Sequence, residues 1–401
     1  MNKETFCSLP FSALFLGPDG TIKPCCSSWE NFGDLNKEPI HDILQSDTAQ
    51  SIRQSIIDGE WHNACSQCKN QEAQGAPSER DGDIDVFTKS FGEDIDKTTY
   101  ALQRLDLRWS NVCNLNCVYC YEFFSSKWAK INDVKVNMLT EERIDGLLMV
   151  VDENKDNIHT VMMLGGEPLL QKPNEKMIKI LANKRFYILT NLTLPLKSNP
   201  IAQLLFNEPQ CGWGVSFETV GERFEYVRRG SKWQTFVDNI AYYAKSPRGH
   251  IPLEAHSMYS IYSAFNLVEF YEFIIEKNFK TVNWNLLQSS GESEDASVFK
   301  LPTEMKERAV LEIEKCMKLF PTAPGMDTLI GYKDTLTNLI KEDNAVISSD
   351  RVNSQEATIN ELVAIEAKLK DNTRPFSEIW PEVHEMLKQG YFQKYSQKNM
   401  R

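Results

Sequence analysis

The sequence predicts an α/β fold, an incomplete barrel of six strand–helix units preceded by a small cysteine-rich unit and followed by a helical C-terminal region. Three observations predict it. From Tyr100 onward, strand-like runs at 103–109, 158–164, 185–190, 212–218, 251–258 and 280–287 alternate with amphipathic helical runs such as 141–152, 173–183, 233–244 and 266–277. Repeated strand–helix units imply a parallel sheet with right-handed crossovers. Five of the ten cysteines fall in a loop-rich stretch before residue 95, and beyond residue 301 the pattern is helical. The expected divisions are therefore 1–95, 96–300 and 301–401.

In the N-terminal unit, Asp19-Gly20 reads as a tight turn between two short strands, which sets Cys7 beside Cys25. Ile43, Leu44, Ile52, Ile56 and Ile57 suit a helix that returns the chain to Cys65 and Cys68. Four thiols, Cys7, Cys25, Cys65 and Cys68, then converge, with Cys26 either a spare thiol or a substitute for Cys25. Four thiolates suit an iron–sulfur cluster or a structural zinc ion. The polar, acidic stretch 71–97, with Gly75, Pro77, Gly82 and Gly92, reads as a surface linker with few residues able to build a core.

The first barrel strand leads into Cys113-Asn114-Leu115-Asn116-Cys117-Val118-Tyr119-Cys120. Three thiols at these gaps can reach three corners of one four-iron cube, leaving one iron without a protein ligand. Zinc would call for a fourth ligand nearby, and no His or Cys follows Cys120 until His159. The second strand ends in Met163-Leu164-Gly165-Gly166-Glu167-Pro168. Paired glycines let backbone approach a ligand, and the turn offers carbonyls and a carboxylate to an ammonium group. Thr190-Asn191 ends the third strand with polar side chains that either face the cavity or cap the next helix.

The fourth strand gives Ser216-Phe217-Glu218, followed by Gly221 and Arg228-Arg229-Gly230. A guanidinium matches a carboxylate fork, and Arg228 is the first choice for that role with Arg229 its rival. The alternative is a surface pair with Glu222 or Glu225. His256, Ser257 and Tyr259 lie on the fifth strand, and Asn283 and Asn285 on the sixth. Alternation aims one set inward, without fixing which. His256 is a candidate substrate contact, although a lone strand histidine is more often a satisfied core or rim residue.

Gly291 to Ser297 reads as an acidic loop, and 303–319, 327–342, 355–370 and 376–389 as helices that close the open side of the barrel or recognise a partner. Cys211 and Cys316 stand alone and read as buried free thiols. A composition of 41% hydrophobic and 25% charged residues is that of a globular chain. The formal charge of -12 argues against a nucleic-acid partner, despite a local basic patch at Arg223, Arg228, Arg229 and Lys232. No apolar run spans a bilayer, and the short stretch Phe11 to Gly17 lacks a basic leader or cleavage site, so a cytoplasmic location and no membrane partner are expected. There, clustered cysteines serve metals rather than disulfides. No Gly-rich nucleotide loop, nucleophile elbow or internal repeat is present.

The three-cysteine loop, with Tyr119 before its third cysteine, resembles the signature of the radical S-adenosylmethionine enzymes. The spacing of Cys7, Cys25, Cys65 and Cys68 resembles the twitch domain, a shortened relative of the SPASM domain, here placed before the barrel rather than after it. The resemblance implies a partial (βα)6 barrel of the TIM type with its reactive centre at the C-terminal strand ends. It implies that Cys113, Cys117 and Cys120 hold a catalytic [4Fe-4S] cluster whose open iron is chelated by S-adenosylmethionine. Reductive cleavage then gives a 5'-deoxyadenosyl radical that takes hydrogen from a C–H bond, chemistry carried by the cofactor and positioned by the protein.

Gly165, Gly166, Glu167 and Pro168 resemble the family motif for the amino group of S-adenosylmethionine. Ser216, Glu218 and Arg228 resemble the region that approaches its ribose, methionine end and carboxylate, with Glu218 in place of the commoner Asp. Tyr119 and Asn191 complete the expected cofactor-binding set. The auxiliary cluster, of the [4Fe-4S] kind and fully ligated by four cysteines, is expected to serve as an electron relay or sink. A flavodoxin or ferredoxin is the expected electron donor. Enzymes with such extensions often modify peptides, so a peptide or protein substrate is expected. The alternatives are oxidation of a small alcohol, sugar or cofactor precursor and, in another class, a non-enzymatic zinc-binding interaction scaffold.

Overall fold

The computed structural model describes the 401 residues except 1, 3, 74–77, 83, 93, 287–295, 346–350, 370–372 and 389–401. Most of the expected acidic loop at 291–297, the middle of the expected linker and the last residues of three expected elements (280–287, 355–370 and 376–389) lie outside the described residues. The chain forms two compact units that interleave in sequence. One comprises Met1–Cys113, Lys135–Leu189 and Ser198–Gly212, the other Asn114–Val134, Thr190–Lys197 and Trp213–Arg401.

The first unit carries β1 (Ala13–Leu16), β2 (Thr21–Lys23), β3 (Gly33–Asp34), β4 (Arg104–Leu107), β5 (Thr160–Met163) and all but the last residue of β6 (Arg185–Thr190). They are ordered β3-β2-β1-β4-β5-β6. β4, β5 and β6 run parallel, as crossover helices require. Each alternates: Leu105, Leu107, Val161, Met163, Phe186 and Ile188 are buried on one face, while Arg104, Asp106, Met162 and Tyr187 lie on the other. The β1–β2 turn forms as expected, with Gly20 at φ +89° and the Asp19 carboxylate accepting from the Thr21 N–H and hydroxyl at 3.1 and 2.7 Å. β1 also pairs in parallel with β4, Phe15 opposite Asp106. The stretch before residue 95 and the first barrel strand thus share one sheet.

The linker expectation for 71–97 is corrected. Helix Ile84–Phe91 buries Phe87, whose ring meets Phe6, Phe11 and Phe91 at centroid distances of 4.9, 5.3 and 4.4 Å. Two phenylalanines four residues apart give even an acidic segment one apolar stripe, and that stripe finds the N-terminal aromatic residues.

The second unit carries β7 (Gln210–Ser216) from Trp213 onward, β8 (Glu254–Tyr259) and β9 (Thr281–Leu286), mutually parallel. Register sets Ser216, His256 and Asn283 in one row. Ala255, Ser257, Tyr259, Val282 and Trp284 are buried on the opposite face. Of the three β8 candidates only His256 therefore shares a face with Asn283 and Asn285, and its Nε2 stands 3.1 Å from the Asn283 amide.

The C-terminal residues form helices Thr303–Leu319, Met326–Ala345, Arg351–Leu369 and Phe376–Ile379, then 381–388. The expected helix 376–389 is broken at Trp380, whose buried indole N–H donates to Asn266 at 2.6 Å. Tyr226 of helix Gly221–Val227 receives this tail: its hydroxyl donates to Glu366 at 3.0 Å and its ring meets Trp380 at 5.3 Å. Cys211 and Cys316 are buried thiols, neither of them in a disulfide. Among the described residues no helix is long and apolar enough to cross a membrane.

Candidate active site

Two cysteine sites emerge. The first lies wholly in the first unit. Cys7 precedes a short helix, Leu9–Ser12, that carries Pro10 in its first turn and feeds β1. The β1–β2 hairpin brings the chain back to Cys25. Helix Asp47–Ile57, capped by the Ser46 hydroxyl accepting from Ala49, leads to a 3-10 turn Asn63–Cys65 and helix Ser66–Ala73, which carry Cys65 and Cys68. Cys7, Cys25, Cys65 and Cys68 line one cavity, together with Thr5, Trp61 and Arg80.

Cys26 is exposed and is not among the lining residues; its thiol feels Glu79, Asp106 and Arg108 instead. Of Cys25 and Cys26, Cys25 is the one that lines the cavity. Burial pushes the Cys7 thiol up to about 12 and the Cys65 thiol up to about 11, and burial together with Cys7 raises Cys25 further. The N–H groups of Leu9 and Asp81 face the Cys7 sulfur and oppose its rise. Four thiols lining one cavity are the donor type that an iron–sulfur cluster takes, while among the described residues no group of three or more His, Cys, Asp or Glu is set to hold a single metal ion. Ligation requires thiolates and so releases protons. Iron uptake at this site by the apo chain is expected to strengthen between pH 7 and pH 9, measured as iron per chain after anaerobic reconstitution.

The other cysteines lie on the 113–120 loop, Cys113 in the first unit and Cys117 and Cys120 in the second. Within the first unit, Trp109 is fixed from two directions: its N–H donates to Gln171 Oε1 at 2.9 Å and its indole N–H to Asn174 Oδ1 at 2.8 Å. The Gly165–Pro168 turn packs against the chain just ahead of Cys113, with the N–H groups of Gly166 and Glu167 donating to the Ser110 and Val112 carbonyls. Gly165 has φ +116°, and a Cβ on Gly166 would stand 2.3 Å from the Val112 oxygen. Both glycines are thus required by backbone geometry. Glu167 is fully buried and accepts from the Leu169 N–H at 3.1 Å, capping its own turn. Gly166→Ala is expected to cost about 1–3 kcal/mol and to lower iron loading, because only backbone is available to move. Thermal unfolding and iron content check this.

In the second unit, main-chain bonds hold the rest of the loop. Asn116 N–H donates to the Arg229 carbonyl at 3.1 Å, Val118 N–H to Val227 at 2.9 Å, and Cys120 N–H to Cys117 at 3.0 Å. The buried Trp128 indole N–H donates to the Cys117 carbonyl at 2.8 Å. Asn191 donates to Asn114 Oδ1 at 2.9 Å, while the Asn114 amide donates to Thr193 at 2.8 Å. Asn191 thereby braces the loop.

Beneath Cys117 lies a buried polar group. Arg228 meets Glu218 with both arms, at 2.6 and 3.3 Å, and its Nη1 approaches the Cys117 sulfur at 3.9 Å. The Tyr119 hydroxyl donates to Glu218 at 2.9 Å, and the guanidinium sits 5.3 Å over the Tyr119 ring. Burial raises the Cys117 thiol, and the Arg228 charge opposes that rise. Glu222 and Glu225, the expected surface partners, pair instead with Arg374 and Lys232. Tyr119, Glu218 and Arg228 are therefore brought together with Cys117, and in this state Arg228 is committed to Glu218. Sequence reading did not anticipate that pairing, or the parts played by Trp128, Gln171 and Asn174; the longer reach of Glu218 compared with Asp was the one available signal.

Comparison with known proteins fits this geometry. Residues 107–249 match the Radical SAM superfamily, and residues 7–69 match SPASM, an iron-sulfur cluster-binding domain. Residues 107–249 are thus a radical SAM domain, and residues 7–69, ahead of it in the sequence, a SPASM-type domain. Its fold class is the α/β radical SAM domain followed by a helical C-terminal region. The matches imply iron–sulfur and S-adenosylmethionine binding.

Among solved structures, the chain is similar to Streptococcus suis SuiB bound to precursor peptide SuiA, at 14% identity over 64% of this chain and 60% of that one, with a TM-score of 0.40. It is similar to native anSMEcpe with bound AdoMet, at 18% identity over 52% and 58%, TM-score 0.39. A third is native anSMEcpe with bound AdoMet and Kp18Cys peptide, at 16% over 55% and 60%, TM-score 0.41. The chain spans about six-tenths of the length of these structures. No curated protein matches it.

Proposed function

We propose that this protein reductively cleaves S-adenosylmethionine at Cys113, Cys117 and Cys120 and uses the resulting radical to activate a C–H bond in a peptide or protein substrate. The observation that carries the reading is the buried Tyr119–Glu218–Arg228 group under Cys117, within the segment that matches the superfamily. When bound, the cluster and S-adenosylmethionine supply one-electron cleavage of a sulfonium to a 5'-deoxyadenosyl radical. The chain's own contribution is placement. Arg228 puts a positive charge beside the Cys117 sulfur, where a thiolate must form. Trp128 fixes the Cys117 carbonyl, and the backbone of Val227 and Arg229 fixes the N–H groups on either side.

Gly165 to Pro168, Asn191 and Ser216 complete the set that would hold S-adenosylmethionine, and Cys7, Cys25, Cys65 and Cys68 would hold a second, fully ligated cluster. Ser216 supports its part by standing in the row with His256 and Asn283, on the face opposite the buried Ala255, Ser257 and Val282. The peptide part of the reading rests on the SPASM-type domain, which in this superfamily often accompanies peptide modification.

A fractionation assay tests the substrate class. Reduced, reconstituted protein is given S-adenosylmethionine and either the peptide fraction or the small-molecule fraction of a cell extract, and 5'-deoxyadenosine is measured above the uncoupled rate. Stimulation by the peptide fraction that is lost after protease treatment supports a peptide substrate. Stimulation by the protease-resistant small-molecule fraction transfers the reading to oxidation of a small substrate.

A further inference from the structure

The cavity of Cys7, Cys25, Cys65 and Cys68 is closed by residues that lie outside the matched domain at 7–69. Thr5 precedes that domain and Arg80 follows it, on the segment that sequence composition marks as a linker. Arg80 is held by three donors: Nε to Glu72 Oε1 at 2.7 Å, Nη2 to Glu72 Oε2 at 2.8 Å, and Nη1 to the Phe6 carbonyl, next to Cys7, at 2.8 Å. Its guanidinium also sits 5.6 Å over the Trp61 ring. Next to it, the Asp81 carbonyl accepts from Ser8 N–H at 2.8 Å and the Asp81 carboxylate from the Ser8 hydroxyl at 2.8 Å, so the segment is stitched across the Cys7 loop. Among the described residues lining the cavity, Arg80 is the only Arg or Lys. Thr5 lines the same cavity; its hydroxyl is buried and has no hydrogen-bond partner among the described residues.

A buried hydroxyl without a partner costs free energy unless something in the cavity accepts from it. Cluster sulfur is such an acceptor, and hydrogen bonds and net charge near the sulfurs set the reduction potential. We infer that Thr5 and Arg80 are positioning residues for the auxiliary iron–sulfur group, stabilising the added electron of its reduced form and so poising it to accept one. The inference rests on the reading that Cys7, Cys25, Cys65 and Cys68 hold that group. The Arg80 charge is felt at Cys7 and Cys68. Leu9, Pro10 and Ile56 give the cavity apolar walls, while the guanidinium itself is partly exposed.

The test uses the full-length chain with Cys113, Cys117 and Cys120 replaced by Ala, reconstituted anaerobically, so that only the auxiliary group is read. Iron and sulfide are counted first, and the midpoint potential is then measured by dithionite titration followed by electron paramagnetic resonance. Arg80→Gln is expected to lower the equilibrium constant for one-electron reduction about tenfold, about 59 mV to more negative potential. Arg80→Lys should retain most of the wild-type value, and Thr5→Val should lower the constant about two- to threefold. If Arg80→Gln fails to load iron while Arg80→Lys loads it, the charge requirement is supported and Thr5→Val carries the potential comparison. Full iron with unchanged potentials in Arg80→Gln and Thr5→Val overturns the inference alone. Absence of iron from the parent chain overturns the ligand reading beneath it.

Discussion

Cys117→Ala is expected to reduce 5'-deoxyadenosine formation to background and to lower iron from about eight to about four atoms per chain. Three thiols leave one corner of a four-iron cube free for the cofactor, and two thiols cannot hold the cube in place. Cys117 is the buried member of the three, with Cys113 and Cys120 half-buried. Its main chain is held by its own bonds to Trp128 and Cys120, and its neighbours by Val227 and Arg229, none of which needs the sulfur. The loop should therefore survive the substitution and the N-terminal cluster should remain. Cys316→Ala serves as the control: a buried thiol with no part in either site, whose loss should cost about 1 kcal/mol and no iron. Retained S-adenosylmethionine cleavage in Cys117→Ala would overturn the assignment of the loop.

Arg228→Met should destabilise the apo chain by about 3–5 kcal/mol, because it leaves Glu218, whose side chain is 0% exposed, charged and without its counter-charge. For a unit of this size that corresponds to a fall in Tm of about 6–20 °C. Glu218→Gln alone should cost a comparable amount. The two together should cost much less than their sum, since no uncompensated buried charge remains. Additive losses in thermal unfolding would show that the two side chains act independently. The same Arg228→Met chain should load less iron, for want of the positive charge beside Cys117.

What the sequence revealed of this molecule, and what it concealed, divides along the range of the interactions. The barrel strands are legible because each alternates locally, Leu105 and Leu107 against Arg104 and Asp106 for instance, and the observed ends fall within a few residues of those read. The 113–120 loop and the four N-terminal cysteines are legible because their spacing is read directly from the chain, and the segments that carry them match the two domain families. The parallel pairing of β1 with β4 is not, since partners some ninety residues apart leave no local period. The phase of β8 was open because both faces carry polar residues, and it took the register Ser216–His256–Asn283 to set it.

Side-chain pairings were hidden for the same reason. Glu218 and Arg228 are ten residues apart across a helix, and only the folded turn brings the fork to the carboxylate. In the linker, glycines and acidic residues masked the two features that matter, the Phe87 stripe and Arg80. A segment whose composition is that of a loop can still carry one residue that a cavity depends on.

We propose for this chain two iron–sulfur centres and cleavage of S-adenosylmethionine at the 113–120 loop. The most direct test is the iron and sulfide content of anaerobically reconstituted protein, taken together with dithionite-driven release of 5'-deoxyadenosine from S-adenosylmethionine. About eight irons with matching sulfide, and 5'-deoxyadenosine formed, is the predicted result. About four irons with activity would confine the chemistry to Cys113, Cys117 and Cys120 and contradict the second centre. A colourless protein that binds zinc and releases no 5'-deoxyadenosine would contradict the account as a whole.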